Sequence, residues 1–230
     1  MSQDECEIIA ARQVVDASRY PWSAIGRIVS RGAANSHCTG TLIDNSHVLT
    51  ASHCIHNEKQ HHWAKPEDIF FEAGYQDGKS IGRSIVEDYS VSLGFEAART
   101  RSQNSSGQDW AILTLKDPIG ERAGYLKLFP IAKLNPGVLK TVKLNVAGYL
   151  RVASDKLRVA SDCLIQEVQF PDPGIIVFRN CPMRGGDSGG PLLVNDGMEL
   201  RVLGVNNHIF SANGGTLGVA AIPRLPISRR

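Results

Sequence analysis

Hydrophobic residues along this chain fall in short runs, and Gly, Pro, Asn, Asp and Ser separate one run from the next. The apolar spacing of an amphipathic helix is scarce, whereas Val, Ile, Leu and Phe dominate the runs. Many short strands with turn residues between them are typical of an all-β sandwich or barrel. The predicted strands cover residues 24–29, 39–43, 48–51, 69–72, 110–115, 141–146, 164–170, 175–178, 191–194, 200–205 and 216–221.

The chain also divides into segments of different character. The polar stretch 98–108 predicts a surface loop, and 116–137 has several helix and strand breakers and little regular pattern. The second stretch is therefore a candidate linker between two β lobes. "RVASD" occurs at 151–155 and again at 158–162, which we interpret as a local duplication because repeat folds use periods of about 20 residues or more. The predicted organisation is an N-terminal extension (1–13), a first lobe (14–118), a linker (119–137), a second lobe (138–225) and a tail (226–230).

Charge and hydropathy exclude several classes of function. The formal net charge is +2, and the only basic cluster is at 228–230, so no nucleic-acid partner is expected. No apolar run reaches the roughly 18 residues of a membrane helix, so no membrane association is expected. The N-terminus "MSQDECEIIA" lacks the pattern of a signal peptide. Either such a signal is missing from this chain or the protein is not exported by that route.

The cysteines place limits on redox chemistry and metal binding. None lies in a C-x-x-C pair, which argues against a zinc ribbon or a thioredoxin-type site. An odd number permits two disulfides and one free thiol, and disulfides would indicate an oxidising compartment. The five cysteines are Cys6, Cys38, Cys54, Cys163 and Cys181.

The segment "RGGDSGGPLL" (184–193) contains the pattern G-x-S-x-G around Ser188. Three interpretations are open for it. It could be the nucleophile elbow of an α/β-hydrolase, the oxyanion loop of a serine protease on a different fold, or a glycine-rich turn. A serine hydroxyl needs a neighbouring base, and the base needs an orienting group, so the order of His and Asp along the chain discriminates between them.

The order of the candidate residues favours the second interpretation. An α/β-hydrolase requires Ser, then Asp or Glu, then His. The segment after Ser188 offers only Asp196 and His208, close together and without alternating helices and strands. Upstream, "VLTASHCI" places His53 directly after a predicted strand, and "GQDWAILTL" places Asp109 before another. The order His53, Asp109, Ser188 is that of the chymotrypsin arrangement.

On these motifs the chain resembles the trypsin/chymotrypsin-like serine protease family, and "YPWSAIGRI" and "DWAILTL" look closer to its bacterial members than to the animal digestive ones. The resemblance implies two six-stranded antiparallel β-barrels with the active site in the cleft between them. It implies that Ser188 attacks the scissile carbonyl, that His53 transfers the proton and that Asp109 orients the imidazole. The amides of Gly186 and Ser188 would form the oxyanion hole. The implied activity is hydrolysis of peptide bonds through an acyl-enzyme.

The family mechanism uses no cofactor and no metal. His56, His61 and His62 follow His53 in "HNEKQHHW", which reads as a polar surface loop without a second ligand set. The expected partner is a protein or peptide substrate. The expected state is a secreted or periplasmic monomer.

The resemblance also implies pairings of the cysteines. A disulfide beside the catalytic His would join Cys38 and Cys54. Cys163 and Cys181 lie in or just after the predicted strands 164–170 and 175–178, which the turn at 171–174 would join as a hairpin. A second bond across that hairpin is expected, and bacterial relatives look similar here. Cys6 is then left over, either free or paired with another chain.

The predicted substrate pocket departs from that of trypsin. The place of the acidic residue about six positions before the serine holds Pro182, followed by Met183, so cleavage after Lys or Arg is not supported. "LGVNNHIF" replaces the family's usual Ser-Trp-Gly. The candidate residues around the P1 side chain are Pro182, Met183, Asn206, Asn207, His208 and Gly218.

Activation follows a family pattern only in part. Many relatives are zymogens in which a freed N-terminal amine pairs with the Asp before the serine, here Asp187. Arg12 is a possible cut site, but "IVGG" is absent upstream. "AIPRLPISRR" has two prolines and does not predict the family's terminal helix. The alternative to an active endopeptidase is a catalytically silent or zymogen-like binding protein on the same fold.

Overall fold

The computed structural model describes residues 2–31, 37–57, 62–95, 106–130, 142–170, 172, 174–195, 197–212 and 215–224. Most of the predicted surface loop at 98–108, the end of the predicted linker, the tail and His61 lie outside these residues.

Antiparallel strands dominate the described part of the chain. The strands are β1 (Gln13–Val14), β2 (Ile25–Ser30), β3 (His37–Leu42), β4 (His47–Thr50), β5 (His56–Asn57), β6 (His62–Trp63), β7 (Ile69–Ala73), β8 (Gly82–Val91), β9 (Ala111–Leu115), β10 (Lys143–Gly148), β11 (Arg158–Gln169), β12 (Ile175–Arg179), β13 (Pro191–Asn195), β14 (Leu200–Ala212) and β15 (Gly215–Ala221). The helices are α1 (Gln3–Ala10) and α2 (Gly120–Ala123), with 3-10 turns at Trp22–Ala24, Ser52–Cys54, Pro66–Asp68 and Arg151–Ala153.

Six strands close the first barrel in the order β2-β3-β4-β9-β8-β7. Alternate residues of each strand point to opposite faces, so one set fills the barrel while the other faces outward. In β7, for example, Ile69, Phe71 and Ala73 are fully buried. Closure leaves no unpaired strand edge in this barrel.

The second barrel is built from the strands that follow residue 142. Its sheet has the order β1-β11-β10-β13-β14-β15-β12, and β12 pairs back with β11. Six strands therefore close on themselves, and β1 is added outside the ring. Phe178, Leu144 and Leu192 are fully buried in its core. The predicted all-β architecture of two six-stranded antiparallel barrels is confirmed.

The N-terminal segment lies against the second barrel, although the first barrel follows it in sequence. In β1, Gln13 pairs with Val159 and Val14 with Arg158 of β11. The predicted boundary between extension and first lobe therefore runs through a strand that belongs to the second sheet. The described part of the predicted linker contains α2 and then contacts both barrels, since Leu126 N donates to Leu42 O and Phe129 N to Val202 O.

Six of these elements were not predicted: the short β1, β5, β6 and α2, and the longer β8 and α1. β8 was missed because its inward positions include Gly82 and Ser84 beside Val86. Buried and less buried residues alternate along the start of this strand, but hydrophobic and polar residues do not. α1 was missed because it buries none of its residues. It is instead closed by a capping box, in which Ser2 and Glu5 exchange side-chain and backbone hydrogen bonds.

Candidate active site

His53 is positioned by the end of a barrel strand. It lies in the 3-10 turn Ser52–Cys54, just after β4. Two contacts hold this turn: Ser52 Oγ donates to Trp110 O at 2.7 Å, and Cys54 is bonded to Cys38 of β3. The backbone on both sides of His53 is therefore tied to the wall of the first barrel.

Asp109 accepts hydrogen bonds from both the ring and the backbone of His53. The His53 Nδ1 to Asp109 Oδ2 distance is 2.7 Å, and His53 N donates to Asp109 Oδ1 at 3.0 Å. The Asp109 side chain is 2% exposed and that of His53 is 22% exposed. With a carboxylate oxygen as the acceptor, Nδ1 is the donor in this contact, so a neutral ring carries its proton on Nδ1. The two contacts together fix the orientation of the imidazole ring.

Ser188 comes from the second barrel but rests on the first. Its carbonyl accepts a hydrogen bond from Thr39 N of β3 at 2.9 Å. The next residue, Gly189, has φ +78°, and a Cβ there would collide with Thr50 Oγ1 and Thr39 O. Only glycine fits this contact, so the loop that carries Ser188 packs directly against the end of β4. The turn that contains His53 follows the same strand end.

The hydrogen bond between Ser188 Oγ and His53 remains a prediction. Among the described residues, Ser188 Oγ makes no hydrogen bond. Catalytic hydrogen bonds are often long without substrate and shorten in the reacting complex. His53 and Asp109 are in direct contact, and Ser188 lies on the loop that packs against the neighbouring strand ends.

The loop before Ser188 presents two backbone donors. Gly186 has φ +107°, which other residues rarely adopt, and a Cβ there would lie 2.5 Å from Arg151 N. In the described part of the chain, neither Gly186 N nor Ser188 N donates a hydrogen bond. Two amides left available in this way are what an oxyanion hole requires.

Thr39 connects this loop to the first barrel, and sequence reasoning missed it. Its hydroxyl donates to Gly186 O at 2.8 Å and accepts from Tyr149 N at 2.9 Å. Thr39 is fully buried, so both bonds are made away from water. Nothing in the local sequence distinguishes it from any other strand threonine.

Replacing Thr39 by Val should destabilise the fold by about 1–3 kcal/mol, because the isosteric side chain leaves Gly186 O and Tyr149 N without partners in a buried site. Denaturant unfolding measures this change. Thr39→Ser keeps the hydroxyl and is the matched control, with a smaller loss expected from its missing methyl group. Equal stability of Thr39→Val and the original chain would show that these bonds contribute nothing.

Asp187 and Arg12 form a buried ion pair that sequence reasoning also missed. Arg12 Nη1 lies 2.7 Å from Oδ1 and 2.6 Å from Oδ2 of Asp187. The sequence suggested Arg12 only as a cut site, whereas its side chain is 0% exposed. The partner of Asp187 in this structure is therefore an internal side chain and not a chain terminus.

The predicted P1 residues fall into two groups. Met183 lies beside Gly218, where an added Cβ would be 2.9 Å from its Sδ. Pro182 and Met183 also line a cavity of about 590 Å³ together with Ile8 of α1 and Leu217.

The second group lies on β14. Asn206 is fully buried and Nδ2 donates to Pro191 O at 3.3 Å, so it faces the barrel core. Asn207 Nδ2 donates to Ser106 O, just before Asp109. His208 pairs with Val219 of β15 and is partly exposed. Of these three residues His208 is the least buried, and both asparagines donate to backbone carbonyls.

The cysteines are paired as the resemblance implied. Cys38 is bonded to Cys54 and Cys163 to Cys181, while Cys6 is free and exposed on α1. Cys38, His53 and Cys54 form the only candidate metal-ligand cluster among the described residues. Its two sulfurs are bonded to each other, so the cluster offers no thiolate. No helix within the described ranges is long and apolar enough to cross a membrane.

Tyr149 is a buried, neutral residue whose backbone packs against Gly186 in the loop before Ser188. Burial raises the pKa of its hydroxyl far above the usual range. The hydroxyl therefore stays protonated and donates to Tyr75 O at 2.9 Å. The Tyr149 carbonyl lies in the path of any Cβ at Gly186, so a fixed Tyr149 also fixes the shape of the loop.

Known proteins of similar sequence are serine proteases. The model of the family described as Trypsin matches residues 8–158, a range that includes His53 and Asp109 and ends before Ser188. Serine protease 23 of Rattus norvegicus is 26% identical over 190 residues, covering 76% of this chain and 46% of the relative. Serine protease Hayan of Drosophila melanogaster is 25% identical over 202 residues, covering 78% of this chain and 31% of the relative. The chain thus spans less than half the length of these curated relatives.

Solved structures of similar shape agree on the fold. A Glu endopeptidase in complex with MPD superposes with a TM-score of 0.70 at 21% identity, covering 92% of this chain and 90% of that one. The protease Anisep from Arthrobacter nicotinovorans superposes with a TM-score of 0.67 at 18% identity, covering 92% and 93%. With the family match over more than half of its length and this shared architecture, the chain belongs to the trypsin family of serine proteases.

Proposed function

We propose that the chain is a serine endopeptidase that hydrolyses peptide bonds through an acyl-enzyme on Ser188. The observation that carries this proposal is the His53–Asp109 pair, 2.7 Å between Nδ1 and Oδ2, on the barrel edge against which the Ser188 loop rests. A buried carboxylate that holds one ring nitrogen in this way orients the imidazole so that the other nitrogen can take and return a proton.

The reaction would proceed in two halves. Ser188 Oγ attacks the carbonyl carbon while its proton passes to His53 Nε2, and the carbonyl oxygen takes up negative charge near the Gly186 and Ser188 amides. The C–N bond then breaks, and His53 gives its proton to the leaving amine. Water repeats the sequence on the ester, which releases the acid and restores Ser188. Asp109 stays ionised throughout and stabilises the imidazolium.

The two disulfides support a place in an oxidising compartment, because such bonds persist in secreted and periplasmic proteins. The proposed substrates are proteins or peptides. The proposed P1 site lies between Met183 and Gly218 on one side and the β14 segment with His208 on the other. Pro182 and Met183 supply no negative charge there, so we do not propose a preference for Lys or Arg.

Incubation of the chain with a diverse peptide mixture, followed by mass spectrometry, tests the function directly. New peptide termini are expected with the original chain and with Ser18→Ala, an exposed serine outside the site. None are expected with Ser188→Ala. The residues preceding the cuts report the P1 preference. Intact peptides in every sample would contradict the proposal and favour the alternative, a silent binding protein on this fold.

A further inference from the structure

Asp187 is the residue between the two proposed oxyanion donors in the sequence, and its carboxylate faces the protein interior. It is fully buried. Besides its contacts with Arg12, Oδ2 accepts a hydrogen bond from Arg184 N at 3.0 Å. Asp187 N donates to Arg184 O at 3.1 Å, and Asp187 O accepts from Gly190 N at 2.9 Å. The side chain and the backbone of Asp187 therefore both tie together the loop from Arg184 to Gly190.

Arg12 is itself held in a fixed place by the second barrel. Its Nη2 donates to Arg158 O at 2.7 Å and lies 3.4 Å from Val146 O, which are backbone groups of β11 and β10. Its Nη1 lies 3.5 Å from Pro182 O in the segment leading to the loop. A planar guanidinium can bind a carboxylate and these carbonyls at once, whereas a lysine ammonium is a single point of charge.

Space for the pair is provided by the barrel. A Cβ at Gly148, the last residue of β10, would collide with Asp187 Oδ1. The side chains of Arg12 and Asp187 are 0% and 1% exposed. An ionised carboxylate in such a place is very unfavourable without a partner, so the loop would turn Asp187 toward water if the cation were removed. Gly186 and Ser188 would move with it.

We propose that Arg12 is a positioning residue for the oxyanion hole, which holds the Gly186 amide in place through Asp187 while the chain remains uncut. This inference rests on the proposed function, because it concerns the same reaction. Arg12 touches no reacting atom and acts only through Asp187.

A consequence concerns proteolysis near the N-terminus. Gln13, which follows Arg12, is already paired with Val159, and the Arg12 side chain is enclosed. A cut after Arg12 would free the arginine backbone from β1 and weaken its hold on Asp187. Such a cut is expected to lower activity, in contrast to an activation cleavage.

The test measures the reaction of Ser188 with a fluorophosphonate, a small probe that needs the nucleophile, the base and the oxyanion donors but no particular P1 residue. Variants Arg12→Ala and Arg12→Lys are compared with Arg19→Ala, which removes an arginine that is 83% exposed. The rate is expressed per folded molecule, with the folded fraction taken from unfolding curves. The concentration of probe at half-saturation is measured separately from the maximal rate.

The maximal rate should fall about 10²-fold in Arg12→Ala, which is the loss expected when one oxyanion donor is removed. The probe concentration at half-saturation should stay nearly unchanged. Millimolar guanidinium chloride should restore part of that rate by entering the vacated site. The maximal rate of Arg12→Lys should fall at least about tenfold. If Arg12→Ala does not fold, the rate of Arg12→Lys alone tests the role of Arg12. Arg19→Ala should react as the original chain does.

The outcomes separate this inference from the proposed function. Reaction of the original chain at Ser188, with Arg12 variants within twofold per folded molecule, overturns the role of Arg12 and leaves the endopeptidase standing. A folded original chain that does not react at Ser188 contradicts the proposed function itself. A lowered unfolding temperature with an unchanged rate per folded molecule would reduce Arg12 to a purely structural residue.

Discussion

Replacing His53 by Ala is expected to lower kcat for peptide hydrolysis by about 10⁶-fold, comparable to removing the entire triad, because its members act as a unit. Without the imidazole no group at the site takes the proton of Ser188 Oγ. The residual rate would come from the oxyanion donors and substrate binding alone. Single-turnover kinetics on a peptide cut in the mixture experiment measure the loss.

The chain contains a closely matched control for this variant. His47 also faces an aspartate, with Nδ1 2.7 Å from Asp44 Oδ2, but both side chains are well exposed. His47 is at the start of β4, whereas the loop with Ser188 packs against Thr50 at its end. His47→Ala is expected to leave kcat within about twofold. A similar loss in both variants would indicate damage to β4, and no loss in His53→Ala would rule out His53 as the base.

Replacing Asp109 by Asn is expected to lower kcat by about 10⁴-fold with little change in KM. The amide NH₂ can take the place of Oδ2 and donate to Nδ1, which moves the imidazole proton to Nε2. The ring then presents a proton to Ser188 where a lone pair is needed. Asparagine keeps the size of the buried side chain and an oxygen for His53 N.

Asp44→Asn is the matched control for Asp109→Asn, since it alters the exposed His–Asp pair in the same way, and its kcat should be unchanged. Unfolding curves of both variants show whether the fold is kept. A fully active Asp109→Asn chain would mean that the 2.7 Å contact has no part in setting the tautomer.

Much of the barrel framework was predictable because its inward residues are apolar. The predicted strands at 69–72, 175–178 and 191–194 fall within one residue of β7, β12 and β13, where buried Val, Ile, Leu and Phe make the pattern visible. β11 begins at Arg158 and β14 runs on to Ala212, well beyond the predicted runs. Polar residues continue both strands there, and strand pairing rather than hydrophobicity determines their length.

The candidate reactive residues could be predicted from the sequence, but the residues that hold them in place could not. His53, Asp109 and Ser188 stand in an order that only one protease arrangement uses, so the sequence alone proposes them. Thr39 and Arg12 carry no such signal. Their roles come from contacts with Gly186 and Asp187, residues far away in the chain that meet only when the two barrels and the N-terminal segment pack together.

The duplicated "RVASD" shows what the sequence by itself determined and what only the tertiary structure decided. The sequence determined an all-β chain and the types and order of the reactive residues, because burial patterns and nucleophile chemistry depend on residue type. The same five letters nevertheless begin as a 3-10 turn at Arg151–Ala153 and form a strand from Arg158. The second copy pairs with β10, whereas the first lies against Gly186, whose missing Cβ leaves room for Arg151 N. Local propensity is identical in the two copies, so the partners that each copy meets in the folded molecule decide its structure.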